Sequence, residues 1–258
     1  MEIVLTIAGS DTGAGAGIQQ DLKTITNCGC YATTVITAIT AQNTLGVQHV
    51  MPVDSEVVRK QMRSVLDDFD VKAVKIGMIP NADIARVIIG ELRNLIATKP
   101  LPIVCDPIMF STSGTRLMSD DCIDLVVNSL FPLCKLVTPN LPERNYLMKA
   151  TAFPTLSVNT LTKGGHAEGE EMTDILWLAD EKREISFSSE RIATKNLHGT
   201  GCTLSSAIAS FLAKGLSLED AISKAKDYIQ QAIEGGKDLN IGHGNGPLWG
   251  NPAYHCPQ

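Results

Sequence analysis

The sequence predicts an α/β fold in which a mostly parallel central sheet is covered by helices on both faces. Two observations carry this prediction. Short apolar runs alternate along the chain with segments whose apolar residues recur at helical spacing, and the run YATTVITAI is β-branched, as strands commonly are. With 258 residues, 44% of them hydrophobic, the chain can bury a sizeable core. Because no linker, repeat or low-complexity tract interrupts it, we expect one domain over residues 1–258.

The strands are predicted from short apolar or β-branched runs that end in glycine, proline or acidic residues. They are IVLTIA (3–8), YATTVITAI (31–39), VKAVKI (71–76), PIVCD (102–106), KLVTPN (135–140) and a strand leading into KGGH, with further strands possible in ILWLA and REISFS (175–188). In a parallel sheet, ligands collect at the carboxyl ends of the strands, so the loops that follow these runs are the places to look for a site.

The helices are predicted from apolar residues that share one helical face. They are a helix with Ile18, Leu22 and Ile25, a helix with Val58, Met62, Val65, Leu66 and Phe69, residues 81–97, residues 119–131, the short LPERNYLMKA (141–150), and two closing helices at about 202–214 and 218–234.

Composition and charge exclude several classes of function. The net charge of −6 does not suit a large nucleic-acid partner, whose binding face would be basic. No stretch reaches the roughly 18 apolar residues that a membrane span needs, and the start MEIVLTIAGSD does not resemble a signal peptide. The seven scattered cysteines form no metal or redox motif, so we expect free thiols in a reducing cytoplasm.

The stretch NLHGTGC leads directly into an apolar helix and predicts an anion site. The first N–H groups of that helix lack partners within it, and the glycines Gly199 and Gly201 let a ligand approach closely. The same field would lower the pKa of Cys202 and favour its thiolate, which could accept a proton from a substrate hydroxyl. The alternative is a buried cysteine behind a structural loop.

The first glycine-rich loop, AGSDTGAGAGIQQD (8–21), follows a strand and opens a helix. It lacks the GK[ST] of a Walker A motif, and the spacing of Gly13, Gly15 and Gly17 differs from the dinucleotide fingerprint, which disfavours a nicotinamide site. We expect this loop to close over a small ligand; a plain flexible turn is the alternative.

Acids, an amide and a lysine lie where later strands should end. Asp106 in CDP, and Asn140 and Glu143 in TPNLPE, could hold hydrated Mg²⁺, or they could serve only as capping and turn residues. Lys163 in TKGGH could reach a phosphate, or it could be a solvated turn lysine.

Seven motifs in register carry a resemblance to a known family. GSDTGAGAGIQQDLKT, ITAITAQNT, KIGM, CDPIM, TPNLPE, KGGH and HGTGC resemble, in this order, the hydroxymethylpyrimidine and hydroxymethylpyrimidine phosphate kinases of thiamin synthesis, which belong to the ribokinase-like superfamily. The similarity extends from Ile3 to GHGNGP near residue 242. It implies a ribokinase-like three-layer α/β/α sandwich and a cytoplasmic kinase, expected as a homodimer, that transfers the γ-phosphoryl group of ATP with Mg²⁺.

The resemblance also implies roles for individual residues. The pyrimidine would be held by Gln42, in a pocket completed by five further positions, which are Gly9, Ala16, Asp21, Met78 and Ile108. The anion hole would be formed by Gly199, Thr200, Gly201 and Cys202. Most ribokinase relatives have an aspartate base where this chain has Cys202, as the pyrimidine kinases do. ATP and Mg²⁺ would be served by Asp106, Asn140, Glu143 and Lys163, with Asp106 and Glu143 holding the metal through water.

One segment departs from the resemblance, and three other functions stay open. Only nineteen positions separate Glu143 from Lys163, where a further crossover helix would be expected, so either this edge is trimmed or a segment is missing. The small polar residues near 110–117 are candidates for what closes over the site. The alternatives to a pyrimidine kinase are a pyridoxal kinase or an enzyme that accepts both substrates, a non-catalytic pyrimidine or nucleotide sensor, and a dinucleotide oxidoreductase.

Overall fold

The computed structural model describes residues 1–110, 116–150, 157–164 and 171–249. The strands of this part of the chain are β1 (Ile3–Asp11), β2 (Tyr31–Asn43), β3 (Gly46–Pro52), β4 (Val71–Ile76), β5 (Ile103–Cys105), β6 (Leu136–Val137), β7 (Thr160–Thr162), β8 (Glu171–Leu178) and β9 (Arg183–Glu190). The helices are α1 (Gly17–Asn27), α2 (Ser55–Leu66), α3 (Ala82–Thr98), α4 (Asp120–Leu125), α5 (Leu141–Ala150), α6 (Thr200–Ala213) and α7 (Leu218–Gly236).

All of these strands form one sheet in the order β3-β2-β1-β4-β5-β6-β7-β8-β9. The six central strands are parallel, whereas β3 at one edge and the β8–β9 hairpin at the other are antiparallel. Because β1 lies between β2 and β4, the strand order reverses at β1, and in sheets of this kind the ligand crevice is expected between the carboxyl ends of β1 and β4.

Helices cover both faces of the sheet. Successive residues of a strand belong in turn to two apolar cores, one on each face. On β1, Leu5 and Ile7 pack towards α2, α3 and α4, whereas Val4 packs towards α1, α6 and α7. The predicted α/β fold, a three-layer sandwich with a mostly parallel sheet, is therefore confirmed. No helix in the described ranges has both the length and the apolar content needed to cross a membrane.

Most predicted elements are present, and three details differ. The edge strand β3 was not predicted, β1 continues through the expected glycine turn as far as Asp11, and the predicted helix 119–131 contains a π-helical turn at Val126–Leu130. A single described helix, α5, connects β6 to β7, which pair in parallel. In the described part of this crossover α5 is the one helix that returns the chain; residues 151–156 lie outside that part.

Candidate active site

The crevice between β1 and β4 is lined by small and apolar residues. Gly9, near the end of β1, faces Met78: a Cβ added at Gly9 would lie only 3.1 Å from the Met78 sulfur. Ile108 lies beside Gly77, the residue before Met78, because a Cβ at Gly77 would lie 3.7 Å from its Cδ1. The structure therefore places Gly9 against Met78 and Ile108 next to the preceding residue, and we refer to these three residues as the apolar wall.

Asp11 organises the first glycine-rich loop. Its Oδ1 accepts a hydrogen bond from the Gly13 N–H (2.8 Å), and its Oδ2 accepts from the N–H groups of Gly15 (3.0 Å) and Ala16 (2.8 Å). Burial alone would raise the pKa of Asp11, but the hydrogen bond from His198 and those from the backbone lower it below its usual value. An ionised carboxylate thus fixes the loop that places Ala16 at the start of α1.

Gln42, near the end of β2, contacts a histidine that sequence analysis did not assign. Its Nε2 lies 3.2 Å from Nε2 of His198, which lies 3.1 Å from Oδ2 of Asp11. Its Oε1 lies 3.3 Å from Oγ1 of Thr40. His198 is the first residue of HGTGC, and its position directly before Gly199 is the feature of the sequence that could have identified it.

The tip of α6 has the geometry of an anion site. Gly199 caps the helix with φ of 88° and packs against the carbonyl of Gly15, so that a Cβ there would lie 1.9 Å from that oxygen. Thr200 is the first helical residue. Within the described residues, the N–H groups of Gly201 and Cys202 have no protein acceptor, which leaves them available to a ligand.

Cys202 differs from the prediction. Burial of the thiol raises its pKa to about 11; the ammonium of Lys75 and a hydrogen bond from the Gly17 N–H oppose this shift, and the charges of Asp21 and Asp106 add to it. The expectation that the helix tip lowers the pKa of Cys202 is wrong, because removal from water outweighs the favourable field.

A buried carboxylate, Asp106, and a partly buried ammonium, Lys163, form an ion pair that faces this tip. Lys163 Nζ lies 2.7 Å from Oδ1 of Asp106, whose side chain is 1% exposed. A Cβ at Gly201 would lie 3.1 Å from Oδ2 of Asp106 and 3.2 Å from Nζ of Lys163. The absence of a side chain at Gly201 therefore keeps open the space between the helix tip and the ion pair.

Asn140 and Glu143 form a reciprocal cap at the start of α5. The Asn140 N–H donates to Oε2 of Glu143 (2.9 Å), and the Glu143 N–H donates to Oδ1 of Asn140 (2.8 Å). Burial, and to a smaller extent the charge of Asp106, raise the pKa of Glu143 to about 7, although Lys163 acts in the opposite direction. The capping role that the sequence left open is thus present, beside the ion pair.

Asp21 lies beneath the site rather than at its surface. Both of its carboxylate oxygens lie 2.8 Å from Nζ of Lys75, and neither side chain is exposed. The hydroxyls of Thr6 (2.6 Å) and Ser206 (2.8 Å) also donate to Asp21. The protein itself thus supplies four contacts to this carboxylate, which was expected in the pyrimidine pocket.

Parts of two predicted features lie outside the described residues. Residues 111–115 belong to the segment expected to close over the site, and Gly165 and His166 belong to the KGGH motif. In the described ranges, no three His, Cys, Asp or Glu side chains cluster as a metal site would require. A metal at this site would therefore depend on few protein ligands.

Comparisons with known proteins agree with this geometry. The model of the family described as phosphomethylpyrimidine kinase matches residues 11–249. The chain is 44% identical over 260 residues to a hydroxymethylpyrimidine/phosphomethylpyrimidine kinase of Rhizobium meliloti, covering 95% of this chain and 96% of the relative.

Two solved structures resemble the fold closely. The phosphomethylpyrimidine kinase of Clostridium difficile 630 has a TM-score of 0.75 and 37% identity, over 90% of this chain and all of the other. The pyridoxal kinase of Bacillus subtilis, solved as an ADP complex, has a TM-score of 0.84 and 31% identity, over 98% of each chain. Matched by the family model along most of its length, the chain is a kinase and belongs to the phosphomethylpyrimidine kinase family.

Proposed function

We propose that this kinase phosphorylates 4-amino-5-hydroxymethyl-2-methylpyrimidine, and then its monophosphate, with ATP in thiamin biosynthesis. One observation carries the proposal: the open tip of α6 faces the Asp106–Lys163 pair across a space that only glycine at position 201 leaves free. The family membership and the relative from Rhizobium meliloti support the choice of substrate.

The pyrimidine would lie against the apolar wall of Gly9, Met78 and Ile108, with Ala16 at its edge. The Gln42 amide offers one donor and one acceptor, which match the ring nitrogen and the amino group of an aminopyrimidine. We assign Asp21 no contact with the substrate, because Lys75 and two hydroxyls already satisfy its carboxylate. It would support the pocket from below.

The γ-phosphoryl group would lie between the tip of α6 and Lys163. The free N–H groups of Gly201 and Cys202 would donate to its oxygens, and the ammonium of Lys163 would balance charge that develops during transfer. Such groups are already in place before the reaction, so positioning and electrostatics would supply most of the rate enhancement.

Asp106 and Glu143 fit a hydrated Mg²⁺. Burial, and to a smaller extent the charge of Asp106, raise the pKa of Glu143, so a cation near both carboxylates would favour the ionised form of Glu143. Bound there through water, the metal would neutralise phosphate charge. The capping bond to the Asn140 N–H would meanwhile hold Glu143 in place.

Cys202 would accept the proton of the hydroxymethyl group in the first phosphorylation. Since burial raises its pKa to about 11, kcat on the alcohol should rise with pH above neutrality as the thiolate becomes populated. The monophosphate is already ionised near neutral pH and needs less help. We therefore expect Cys202→Ala to lower kcat on the alcohol by roughly 10²-fold, and by less on the monophosphate.

Three variants at this position test the role of a base. An ATP-consumption assay compares Cys202→Ala, Cys202→Ser and Cys202→Asp on the alcohol and on the monophosphate. If Cys202 is a base, the aspartate variant retains more activity on the alcohol than the serine variant, whose hydroxyl titrates higher than a thiol. An unchanged rate of Cys202→Ala on the alcohol removes the proposed role.

Pyridoxal phosphorylation is a second candidate. The pyridoxal kinase of Bacillus subtilis has a higher TM-score (0.84) than the phosphomethylpyrimidine kinase of Clostridium difficile (0.75), although its identity is lower. Assays with hydroxymethylpyrimidine, its monophosphate and pyridoxal, run side by side, separate the two functions. The homodimer and the cytoplasmic location stay predictions; sedimentation analysis of the purified chain tests the first.

A further inference from the structure

His198 lies where four segments of the chain meet. Its ring packs on Gly15 of the first glycine-rich loop, where a Cβ would lie 2.4 Å from the ring Cδ2. Its Nε2 faces Asp11 and Gln42, and the residue that follows it caps α6. Its N–H donates to the carbonyl of Gly246 in the C-terminal segment (3.1 Å).

The C-terminal segment holds this junction from behind. The Asn245 N–H donates to the carbonyl of Thr44 (2.9 Å), two residues after Gln42, and the Gly244 N–H donates to Oγ1 of Thr44 (3.1 Å). With the bond from His198 to Gly246, these contacts fix the backbones on both sides of the His198–Gln42 pair. The side chain of His198 is 14% exposed, so its position is well defined by its neighbours.

The hydrogen bonds around His198 assign its proton and the orientation of the Gln42 amide. Asp11 accepts two backbone hydrogen bonds at Oδ2 and is ionised, so the proton of His198 is assigned to Nε2, where it donates to Asp11. The Gln42 atom 3.2 Å from the same nitrogen must then be the amide oxygen, because two N–H donors cannot bond each other.

Thr40 agrees with this orientation. Its hydroxyl donates its one proton to the carbonyl of Ser10 (2.9 Å), which leaves its oxygen free to accept from the Gln42 NH₂ group. The amide thereby keeps one lone pair, on the His198 side, and one N–H, on the Thr40 side. The unused lone pair can accept a hydrogen bond from an amino group, and the unused N–H can donate to a ring nitrogen beside it. A ring edge that carries these two groups therefore fits in only one orientation.

We propose that His198 is a positioning residue that fixes the Gln42 amide in one orientation and so selects a ring edge with an amino group beside a ring nitrogen. This inference rests on the proposed function, in which Gln42 binds the pyrimidine. It assigns to His198, the residue before the anion hole, a role in recognising the pyrimidine ring. The same residue thus connects the two halves of the site, since Gly199 follows it directly.

Three substitutions separate positioning from packing. The amide nitrogen of His198→Gln reaches about as far as Nε2 of histidine, whereas that of His198→Asn corresponds to Nδ1 and falls short. We expect the asparagine and alanine variants to raise KM for hydroxymethylpyrimidine roughly five- to tenfold, with kcat changed by less than about twofold. The glutamine variant should stay within about twofold of wild type, and so should the control His49→Ala, an exposed histidine on β3.

A double-mutant cycle with Gln42→Ala completes the test. If His198 acts through Gln42, adding His198→Ala to Gln42→Ala raises KM by no more than about twofold; multiplication of the two single effects overturns the proposal. Equal KM values for the glutamine, asparagine and alanine variants overturn it as well. If wild-type enzyme leaves hydroxymethylpyrimidine unphosphorylated, the proposed function fails and takes this inference with it, whereas an active wild type with insensitive variants overturns the inference alone. Should the alanine variant not fold, the comparison of glutamine with asparagine still decides.

Discussion

The buried pair of Lys75 and Asp21 should contribute more to stability than any surface ion pair of this protein. Neither side chain is exposed, and Lys75 Nζ lies 2.8 Å from both carboxylate oxygens of Asp21. In Lys75→Met, the carboxylate keeps only the hydroxyls of Thr6 and Ser206 and stays buried with an unbalanced charge. Breaking such a pair costs about 3–5 kcal/mol of the free energy of unfolding.

Thermal unfolding monitored by circular dichroism measures this loss. For a chain of this size, each kcal/mol lowers Tm by roughly 2–4 °C, so Lys75→Met should unfold about 6–20 °C below wild type. Lys72→Met is the matched control, because Lys72 lies on the same strand but pairs with Asp70 at the surface. Its Tm should equal that of wild type.

A double variant identifies the source of the loss. In Lys75→Met with Asp21→Asn, no buried charge remains unpaired, so the double variant should be more stable than Lys75→Met alone. If Lys75→Met melts within about 2 °C of wild type, the reasoning about an unbalanced buried carboxylate is refuted. If the double variant is no more stable than the single one, the loss comes from packing rather than from charge.

Two further substitutions probe the site itself. Because the folded chain raises the pKa of Glu143 from 4.5 to about 7, folding favours its protonated form, and this contribution to stability is lost as pH rises through 7. Glu143→Gln should therefore gain roughly 2–3 kcal/mol relative to wild type between pH 5 and pH 8, measured by urea unfolding; parallel curves contradict this. Gly201→Ala would place a methyl group 3.1 Å from Oδ2 of Asp106 and 3.2 Å from Nζ of Lys163, so kcat/KM for ATP should fall at least about tenfold. Gly90→Ala on α3, which meets nothing within 4 Å, is its control, and equal activity of the two variants would count against a phosphoryl position at the helix tip.

The periodicity of apolar residues predicts the layers of this fold well and its edges poorly. The central strands are apolar on both faces because helices cover both faces, and such runs are easily identified. Strand β3, GVQHVMP, lies at the edge, where its side chains are exposed or half-buried on both faces, so no alternation distinguishes it from a loop. Its pairing with β2 depends on backbone hydrogen bonds that leave no trace in the hydrophobic pattern.

The sequence predicts the residues of the candidate site whose role depends only on their neighbours in the chain. Gly199 and Gly201 were identified because a glycine-rich loop before a helix has one evident use. The chemistry of Cys202 was not, since its pKa depends on how deeply the helix tip is buried and on Lys75 beneath it. A lysine next to the end of the strand VKAVKI gives no sign that an aspartate from α1, distant in sequence, neutralises it.

The charges around the helix tip explain why these hidden residues matter. Two ammonium groups, on Lys75 and Lys163, are balanced by the carboxylates of Asp21 and Asp106. Burial raises the pKa of Glu143 to about 7, and the charge of Asp106 adds to this although Lys163 opposes it, so ionisation of this carboxyl is unfavourable in the site. These two ion pairs are thus balanced while Glu143 holds its proton, and a cation brought in with the triphosphate would make the ionised form of Glu143 more favourable. The same set of charged groups would then favour an anion at the tip of α6 and a cation beside Glu143. The pair of Lys75 and Asp21 supports this arrangement from below the site.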